Sequence, residues 1–313
     1  MKGKKLIALD TKRQGRVLFL LSAFAISALL AFSCQHMGTV AQVGAAVGQA
    51  TGVIDEKTAG AIVRSGEAIG KAFEEITPEQ EYYIGRAVGA NILANYKLQD
   101  RAALVVYVNK ICNALIIHSP RPEIFNGYHV NILDSDEINA FATPGGHIFI
   151  TRGLIASATS EDTLAAVIAH EIGHIQLQHG LKAIKNNRIT QAILVTGTSA
   201  AGAVGYDLSE MVGVFNESIN EIITTMVTNG YSQTQEFEAD TMAMELLAVA
   251  GYEPSSLVEV LRVLEKNQVS HPGGFNKTHP SPAQRITNAQ KTVGNYTVED
   301  TRSYRQARYS AVN

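Results

Sequence analysis

The amino-acid sequence predicts an α+β fold in which helices predominate. Apolar residues recur at helical spacing through most of the chain, whereas strand-like alternation is confined to residues 128–133 and 139–153. With 313 residues, 46% of them hydrophobic, the chain is long enough to bury one sizeable core or two small ones. We therefore expect a mainly helical body that carries one small antiparallel sheet.

The first 33 residues have the layout of a signal peptide. Six Lys and Arg residues precede the apolar run VLFLLSAFAISALLAF, which stops at Ser33. Its 16 residues are fewer than the roughly 20 that a membrane-crossing helix requires. Cleavage is therefore favoured over retention as an anchor.

The end of this run, LLAFSC, resembles a bacterial lipobox, in which the final cysteine becomes acylated. Phe32 departs from the small or aliphatic residues of that pattern. We expect Cys34 to be lipidated, with ordinary signal cleavage and an uncleaved anchor as the alternatives. Gln35 after the cysteine favours the outer membrane under the usual bacterial sorting rule.

Residues 34–76 are rich in Gly and Ala, and Gly44, Gly48 and Gly52 are spaced by four. Each glycine weakens a helix by about 1 kcal/mol relative to alanine, so we expect a spacer that is partly helical at most. Small residues at this spacing also permit close contact between helices. A membrane-inserting or oligomerising role is the alternative to a spacer.

The folded body is expected over residues 77–294. Thr77 as N-cap, Pro78 at the first helical position and Gln80 completing a capping box predict a helix that begins here. Periodicity then predicts helices over 100–117, 160–179, within 186–230, and over 232–250, 256–267 and 282–292. Residues 295–313 are polar and lack an apolar stripe, so we expect a loosely ordered C-terminal tail.

The segment TLAAVIAHEIGHIQLQHG places His170 and His174 one turn apart on a helix that Gly180 is expected to end. At this spacing both imidazoles can reach a single Zn²⁺ at about 2.0 to 2.1 Å. Glu171 points about 100° around the helix, beside the metal, where it can take a proton from bound water. His179 lies some 140° off this face and is not expected to be a ligand.

A catalytic zinc site usually takes three protein ligands and leaves the fourth position to water. Glu236 and Asp240 share one face of the later 232–250 helix, whose other residues on that face are apolar. Glu236 as the third ligand and Asp240 as an acceptor that orients a ligand histidine would give both acids a partner. Glu238 projects elsewhere and is expected to be solvated.

Four motifs in this order carry a family resemblance: NAFATPGGHIFITRGLI, the HExxH of 170–174, EFEAD at 236–240 and HPSPAQRI at 279–286. They resemble the zinc metallopeptidases of family 48, the gluzincins that include HtpX, the CAAX prenyl endopeptidases and the mitochondrial Oma-type proteases. The similarity spans about residues 77–292 and is greatest to the envelope branch that contains LoiP and BepA. It implies a zincin-like domain with one zinc ion per chain.

The resemblance also implies roles for individual residues. His170, His174 and Glu236 would be the metal ligands, Glu171 the general base and Asp240 the support of a ligand. His279 would have an active-site role, either by occupying the open metal position or by assisting the reaction. A plain structural histidine is the alternative.

The function predicted from the sequence is zinc-dependent hydrolysis of peptide bonds in unfolded or misassembled proteins of the bacterial cell envelope. The strand residues Asn139, Ala140, Phe141 and Ala142 would bind an extended substrate by adding it to the sheet. Partners would be the membrane, through the lipid anchor, and outer-membrane assembly machinery. A tethered chaperone with a latent zinc site and a zinc hydrolase of small molecules are the alternatives. A net charge of −3 lacks the basic surface of a nucleic-acid binder.

Overall fold

The computed structural model describes residues 37–52, 55–72, 75–182, 220, 222–268, 278–279 and 281–312. The expected signal peptide, Cys34 and most of the helical prediction within 186–230 lie outside the described residues. The described residues divide into two compact units, with the boundary after Glu75. In the described part, no helix combines the length and the apolar character that a membrane crossing requires.

The first unit contains two helices, α1 (Met37–Ala50) and α2 (Glu56–Ala72), which pack against each other. Gln42 of α1 donates a hydrogen bond of 2.9 Å from Nε2 to Glu67 Oε1 of α2. This segment therefore contains more helix than the predicted spacer, which was expected to be partly helical at most. Ala41 and Ala45 of α1 and Ala59 of α2 are buried, so the packing of the two helices offsets their low intrinsic helix propensity.

The second unit begins with α3 (Pro78–Asn95), where the predicted capping box between Thr77 and Gln80 is present. The next helix, α4 (Ala102–Ile116), lies within the predicted range 100–117 and buries a stripe of Leu104, Val108, Ile111, Cys112 and Leu115. Burial raises the pKa of the Cys112 thiol to about 12. This cysteine is therefore an apolar core residue with little thiolate character.

Three strands form the sheet: β1 (His129–Leu133), β2 (Ala140–Ala142) and β3 (His147–Thr151), in the order β1-β3-β2. A short turn at Pro144–Gly146, with Gly145 at φ 72°, makes β2 and β3 antiparallel as predicted. The antiparallel prediction was wrong for β1, which pairs parallel to β3. Alternation reveals which face a residue occupies but not its partner strand, and residues 134–146 are long enough for a parallel crossover.

The two faces of the sheet pack on different helices. Val130, Ile132, Ile148 and Ile150 belong to the main core, together with apolar residues of α4. Leu133, Phe141 and Phe149 point the other way and pack against Ile84, Val88 and Ile92 of α3. The sheet is thus buried on both faces, which agrees with the nearly continuous apolar residues of β2 and β3.

The remaining elements are helical: α5 (Arg152–Ser157), α6 (Glu161–Gln176), a π-helical turn (Thr224–Asn229), α7 (Gln233–Val249), α8 (Ser256–Gln268), α9 (Pro282–Ala289), a 3₁₀ turn (Val293–Asn295) and α10 (Arg302–Val312). All sixteen residues of α6 are buried. This helix contacts α4, β2, α7, α8 and α10 and is the centre of the unit. The predominantly helical α+β class is confirmed.

The C-terminal residues differ from the prediction of a loosely ordered tail. In α10, Arg305 and Tyr309 are buried, and the Arg305 Nε donates 2.9 Å to Asp162 Oδ2. Arg308 Nη2 lies 2.5 Å from Glu161 Oε1, and the Tyr309 hydroxyl donates to the Ala158 carbonyl. Charge pairing with the first turn of α6, rather than an apolar stripe, attaches this helix, so hydrophobic periodicity could not reveal it.

Candidate metal centre

The two histidines of the HExxH motif lie in α6, all of whose residues are buried. Ser160 caps α6 through the Thr163 backbone N–H, and Glu161 and Asp162 occupy the first turn. His170, Glu171 and His174 are 0–2% exposed. The two imidazoles face each other, with His170 Nε2 and His174 Nε2 3.1 Å apart. Helical spacing brought both rings to one point, as predicted.

The third predicted ligand comes from α7, which Ser232 caps. Glu236 and Asp240 are both fully buried on the side of α7 that contacts α6. The helices approach closely because α6 has Gly173 at the crossing, where an added Cβ would lie 2.9 Å from the Ala239 carbonyl oxygen. The glycine within HEIGH therefore allows the carboxylate of Glu236 to reach the two imidazoles.

Four side chains, His170, His174, Glu236 and His279, each offer one ligand atom within 4.8 Å of the others. The separations are 3.1 Å for His170 Nε2 to His174 Nε2, 3.2 Å for His170 Nε2 to His279 Nδ1, and 3.1 Å for His279 Nδ1 to Glu236 Oε1. Glu236 oxygens lie 3.5 Å from each of the other two imidazoles. Tetrahedral ligands at about 2.0 to 2.1 Å from zinc are about 3.3 Å apart, so the donors fit such an ion.

Asp240 supports His170 on the side away from the cluster. Its Oδ1 lies 3.0 Å from His170 Nδ1, so the ring donates Nδ1–H to the carboxylate and presents Nε2 to the cluster. Burial and the Arg285 charge act to lower the pKa of His170, but hydrogen bonds to Asp240 and Glu236 outweigh them and raise it to about 9. In the metal-free protein this imidazole therefore carries a proton that a cation would replace.

Arg285 is a buried cation beside the site that the sequence interpretation missed. Its Nε and Nη2 donate to the two oxygens of Asp240 at 2.9 and 2.6 Å, and Nη1 lies 2.8 Å from Glu236 Oε2. The charges of His279 and Arg285 hold the pKa of Glu236 well below its usual range, against the effect of burial. With Glu171 ionised and the His170 proton displaced, three carboxylates and one guanidinium leave two buried negative charges, which a divalent cation would balance.

Glu171 stands beside the cluster rather than in it. Within the described residues, neither of its carboxylate oxygens has a hydrogen-bond partner, and the His279 Nε2 lies 3.5 Å from Oε1. Burial raises the pKa of this carboxyl. A buried carboxylate without a hydrogen-bond donor is costly unless something fills the space next to it, and a water molecule at a metal would do so.

His279 lies inside the cluster, where the HPSPAQRI motif was expected to bring it. Thr278 beside it donates from Oγ1 to Asn139 Oδ1 at 3.2 Å and accepts a backbone hydrogen bond from Tyr231. Ser281 and Gln284 have the spacing of a capping box, but none forms at the start of α9, because Ser281 takes a left-handed conformation (φ 63°) and makes no side-chain cap. Gln284 instead accepts from Gln233 Nε2 of α7 at 2.7 Å.

His179 and Tyr231 also surround His174. His179 is not one of the four residues of the metal cluster, but its Nδ1 lies 2.9 Å from His174 Nδ1 and its Nε2 lies 3.0 Å from Glu238 Oε2. Glu238 is therefore a partner of the site and not merely solvated, which corrects the expectation for it. The Tyr231 ring stacks on the His174 ring at 4.0 Å between centroids.

Comparison with known proteins identifies the family. The model for peptidase family M48 matches residues 104–293, which is more than half of the chain. This chain belongs to peptidase family M48. The matched region contains β1–β3, the HExxH helix, α7 and α9, so the four motifs that carried the resemblance all lie within it, and that resemblance is confirmed.

Similar proteins of this M48 peptidase include three that are named as proteases. The beta-barrel assembly-enhancing protease of Escherichia coli is 27% identical over 67% of this chain and 42% of its own length. Metalloprotease LoiP of the same organism is 32% identical over 51% of this chain and 61% of its own. The mitochondrial metalloendopeptidase OMA1 of Schizosaccharomyces pombe is 23% identical over 69% and 62%. The chain thus spans less than two thirds of each relative.

Proposed function

We propose that this M48 peptidase is a zinc-dependent endopeptidase that cleaves unfolded or misassembled proteins of the bacterial cell envelope. The convergence of His170, His174 and Glu236 with tetrahedral spacing carries this proposal. Zinc is favoured over Ca²⁺ or Mg²⁺ because two imidazoles and one carboxylate make a nitrogen-rich donor set. The names of the relatives, which include metalloproteases, support hydrolysis of peptide bonds.

Each residue of the site has one task in this proposal. One bound zinc ion per chain supplies a Lewis acid and a water whose pKa falls to about 7. Glu171 accepts a proton from the attacking water and returns it to the leaving amine. Burial raises the pKa of this carboxyl, which makes its carboxylate a stronger base toward the water. Asp240 holds His170, and Arg285 keeps Asp240 and Glu236 ionised.

Strand β2 is the proposed substrate edge, formed by Asn139, Ala140, Phe141 and Ala142. Hydrogen bonds from Thr151 N–H to Asn139 and from Thr143 N–H to His147 flank the pair Phe141 and Phe149. In an antiparallel ladder this alternation turns the Phe141 backbone toward β3 and the backbone of Ala140 and Ala142 outward. Ala142 is 5% exposed in this structure, so it would pair with an extended peptide only after the neighbouring segment moves, and such pairing favours unfolded segments as substrates.

His279 is proposed to hold the enzyme in a closed state. Its Nδ1 is within 3.2 Å of ligand atoms of both His170 and Glu236, at the place of a fourth ligand. The adjacent Thr278 contacts Asn139 at the start of β2. Movement of this one short segment would free both the open metal position and the substrate edge.

The proposed location is the periplasmic face of the outer membrane, with Cys34 lipidated. The signal-like N-terminus and the lipobox-like LLAFSC support it. The name of the beta-barrel assembly-enhancing protease supports a partnership with outer-membrane assembly machinery. Metabolic labelling with palmitate should mark the wild type and not Cys34→Ser, and the lipidated form should fractionate with outer membranes. Equal labelling of both would overturn the lipidation.

A comparison of Glu171→Gln with wild type tests the proposed reaction. Both proteins should bind zinc, and the variant should lose about 10²- to 10⁴-fold of casein-degrading activity because its amide cannot accept the proton. Glu259→Gln, on an exposed part of α8, is the matched control and should keep full activity. A zinc-loaded Glu171→Gln that degrades casein as fast as wild type would overturn the peptidase assignment and leave the tethered chaperone.

A further inference from the structure

Behind the ligand His174 lies a chain of two polar side chains that the proposed reaction does not use. His179 is fully buried, and its Nδ1 is 2.9 Å from His174 Nδ1. Its other nitrogen, Nε2, is 3.0 Å from Oε2 of Glu238. Lys182 approaches the same carboxylate oxygen at 3.7 Å. Side chains therefore run in sequence from the metal site to the surface through His174, His179 and Glu238.

The hydrogen-bond partners determine where the protons lie. Glu238 accepts only, so the proton on His179 must be at Nε2. With that proton in place, the Nδ1 of a neutral His179 ring is left as the acceptor for His174 Nδ1, 2.9 Å away. His174 must then donate from Nδ1, which leaves the lone pair of its Nε2 facing the cluster. This is the tautomer that a metal ligand needs.

Backbone geometry explains how His179 reaches this place. Helix α6 ends at Gln176, three residues earlier than the expected end at 179, and Gln178 takes a left-handed conformation with φ 54°. The turn redirects the chain, so that His179 folds back against His174 instead of lying 140° around a continued helix. Gly180 was expected to provide the left-handed residue, but no positive φ occurs there.

Three acids of helix α7 belong to the site, one in the metal cluster and one that supports each of the two histidine ligands. Glu236 faces the metal cluster, and Asp240 accepts from His170 directly. Glu238 lies about 200° around the helix from Glu236, on the partly exposed side, and reaches His174 only through His179. The two histidine ligands are thus oriented in different ways, one by a carboxylate and the other by a second imidazole.

We propose that His179 is the positioning residue of the ligand His174, and that Glu238 holds His179 in the tautomer that accepts from it. This rests on the proposed zinc site. Loss of such a partner from a ligand histidine lowers metal affinity by about 10- to 100-fold. His179→Leu, which has no acceptor, should show that loss, whereas His179→Asn keeps an oxygen near the position of Nδ1 and should restore most of it.

The experiment measures zinc affinity by chelator competition for full-length wild type, both His179 variants and Glu238→Ala. Glu238→Ala should show a smaller loss than His179→Leu, and Glu245→Ala, exposed on the same helix, should bind as wild type does. Thermal unfolding of the metal-free proteins shows which variants fold. Nitrogen-15 NMR of the zinc-loaded Glu171→Gln protein should show a proton on Nδ1 of His174 and on Nε2 of His179.

The outcomes separate this inference from the proposed function. A wild type that binds no zinc would overturn both. If wild type binds zinc while folded His179→Leu and Glu238→Ala bind it equally well, only the positioning role is overturned. Loss of affinity in both His179→Leu and His179→Asn to the same extent would also contradict it, because the acceptor would then make no difference. Should His179→Leu not fold, Glu238→Ala and the tautomer of His174 decide.

Discussion

Gly173 of α6 lies so close to Ala239 of α7 that a Cβ on the glycine would be 2.9 Å from the Ala239 carbonyl oxygen and 3.2 Å from its Cα. Both atoms belong to the backbone, so they cannot move aside as a flexible side chain would. This contact sets the distance between the helix that holds the histidines and the helix that holds Glu236. Metal binding and helix packing are therefore coupled at one residue.

Gly173→Ala should separate these helices. We expect a loss of about 1 to 3 kcal/mol in the free energy of unfolding, together with weaker zinc binding because Glu236 moves away from the imidazoles. Urea denaturation and chelator competition measure the two effects. Gly294→Ala is the control, since a Cβ there meets nothing within 4 Å. Unchanged zinc affinity in Gly173→Ala would contradict the coupling.

Arg285→Met should destabilise the metal-free protein by about 3 to 5 kcal/mol. The change leaves the buried carboxylates of Asp240 and Glu236 without their cation, and a broken buried ion pair costs that much. Zinc should restore part of the loss because a divalent cation neutralises Glu236 directly. Thermal unfolding with and without zinc measures both. A metal-free variant as stable as wild type would show that Arg285 does not balance these charges.

Zinc affinity should fall as the pH falls. In the metal-free protein the pKa of His170 is raised to about 9, so below that pH a proton occupies the nitrogen that the metal needs. His174 has a lowered pKa and Glu236 is ionised throughout, so neither adds protons near neutrality. Between about pH 8 and pH 6 the apparent affinity should fall about tenfold per pH unit. Calorimetry in buffers of different protonation enthalpy should find that about one proton is released for each zinc ion bound. A zinc affinity that does not change with pH would contradict the proposed loss of a proton from His170.

Arg305→Ala should destabilise the protein far more than Arg302→Ala. Arg305 is 5% exposed and pairs with the buried Asp162 in the first turn of α6, so its removal leaves a buried carboxylate without its cation, at a cost of about 3 to 5 kcal/mol. Arg302 and Glu253 form an exposed pair at 3.4 Å, which contributes about 0 to 1 kcal/mol. Urea denaturation measures the free energy of unfolding of both variants. Equal losses would show that the ion pair between α10 and α6 does not stabilise the fold.

His279→Ala should increase the degradation of unfolded substrates by several-fold. The ring occupies the fourth position of the metal cluster, so its removal opens that position and frees the segment next to β2. Casein cleavage at saturating zinc measures the effect, with zinc content determined in parallel. A fall in activity at full zinc occupancy would mean that His279 assists the reaction instead of closing the site.

Much of the site could be predicted because it follows local periodicity. His170 and His174 share a helix face, and so do Glu236 and Asp240, since helical spacing alone places residues four apart together. Because buried acids need a positive partner, Glu236 and Asp240 could then be assigned to the same site as the HExxH histidines. The structure brings His170, His174 and Glu236 together, and His279, whose role only the family resemblance implied, lies with them.

What could not be predicted depends on tertiary geometry. His179 contacts His174 because Gln178 leaves the helical conformation, and no spacing rule reports a left-handed residue that is not glycine. In the sequence Arg285 cannot be told from the other arginines, most of which would be expected at the surface. Only the packing of α9 shows that it is buried. Arg285 lies in the HPSPAQRI motif. The available sign of a buried cation was that the acids expected in the core, Glu171, Glu236 and Asp240, had no basic partner in the prediction.

Zinc binding by Glu236→Ala tests the central claim most directly. Wild type, stripped of metal and then given excess zinc, should retain one ion per chain after gel filtration. Glu236→Ala should lose the ion under the same conditions, while Glu245→Ala on the same helix keeps it. A folded Glu236→Ala protein that retains zinc as tightly as wild type would contradict the site, because α7 would then contribute no ligand to the HExxH histidines.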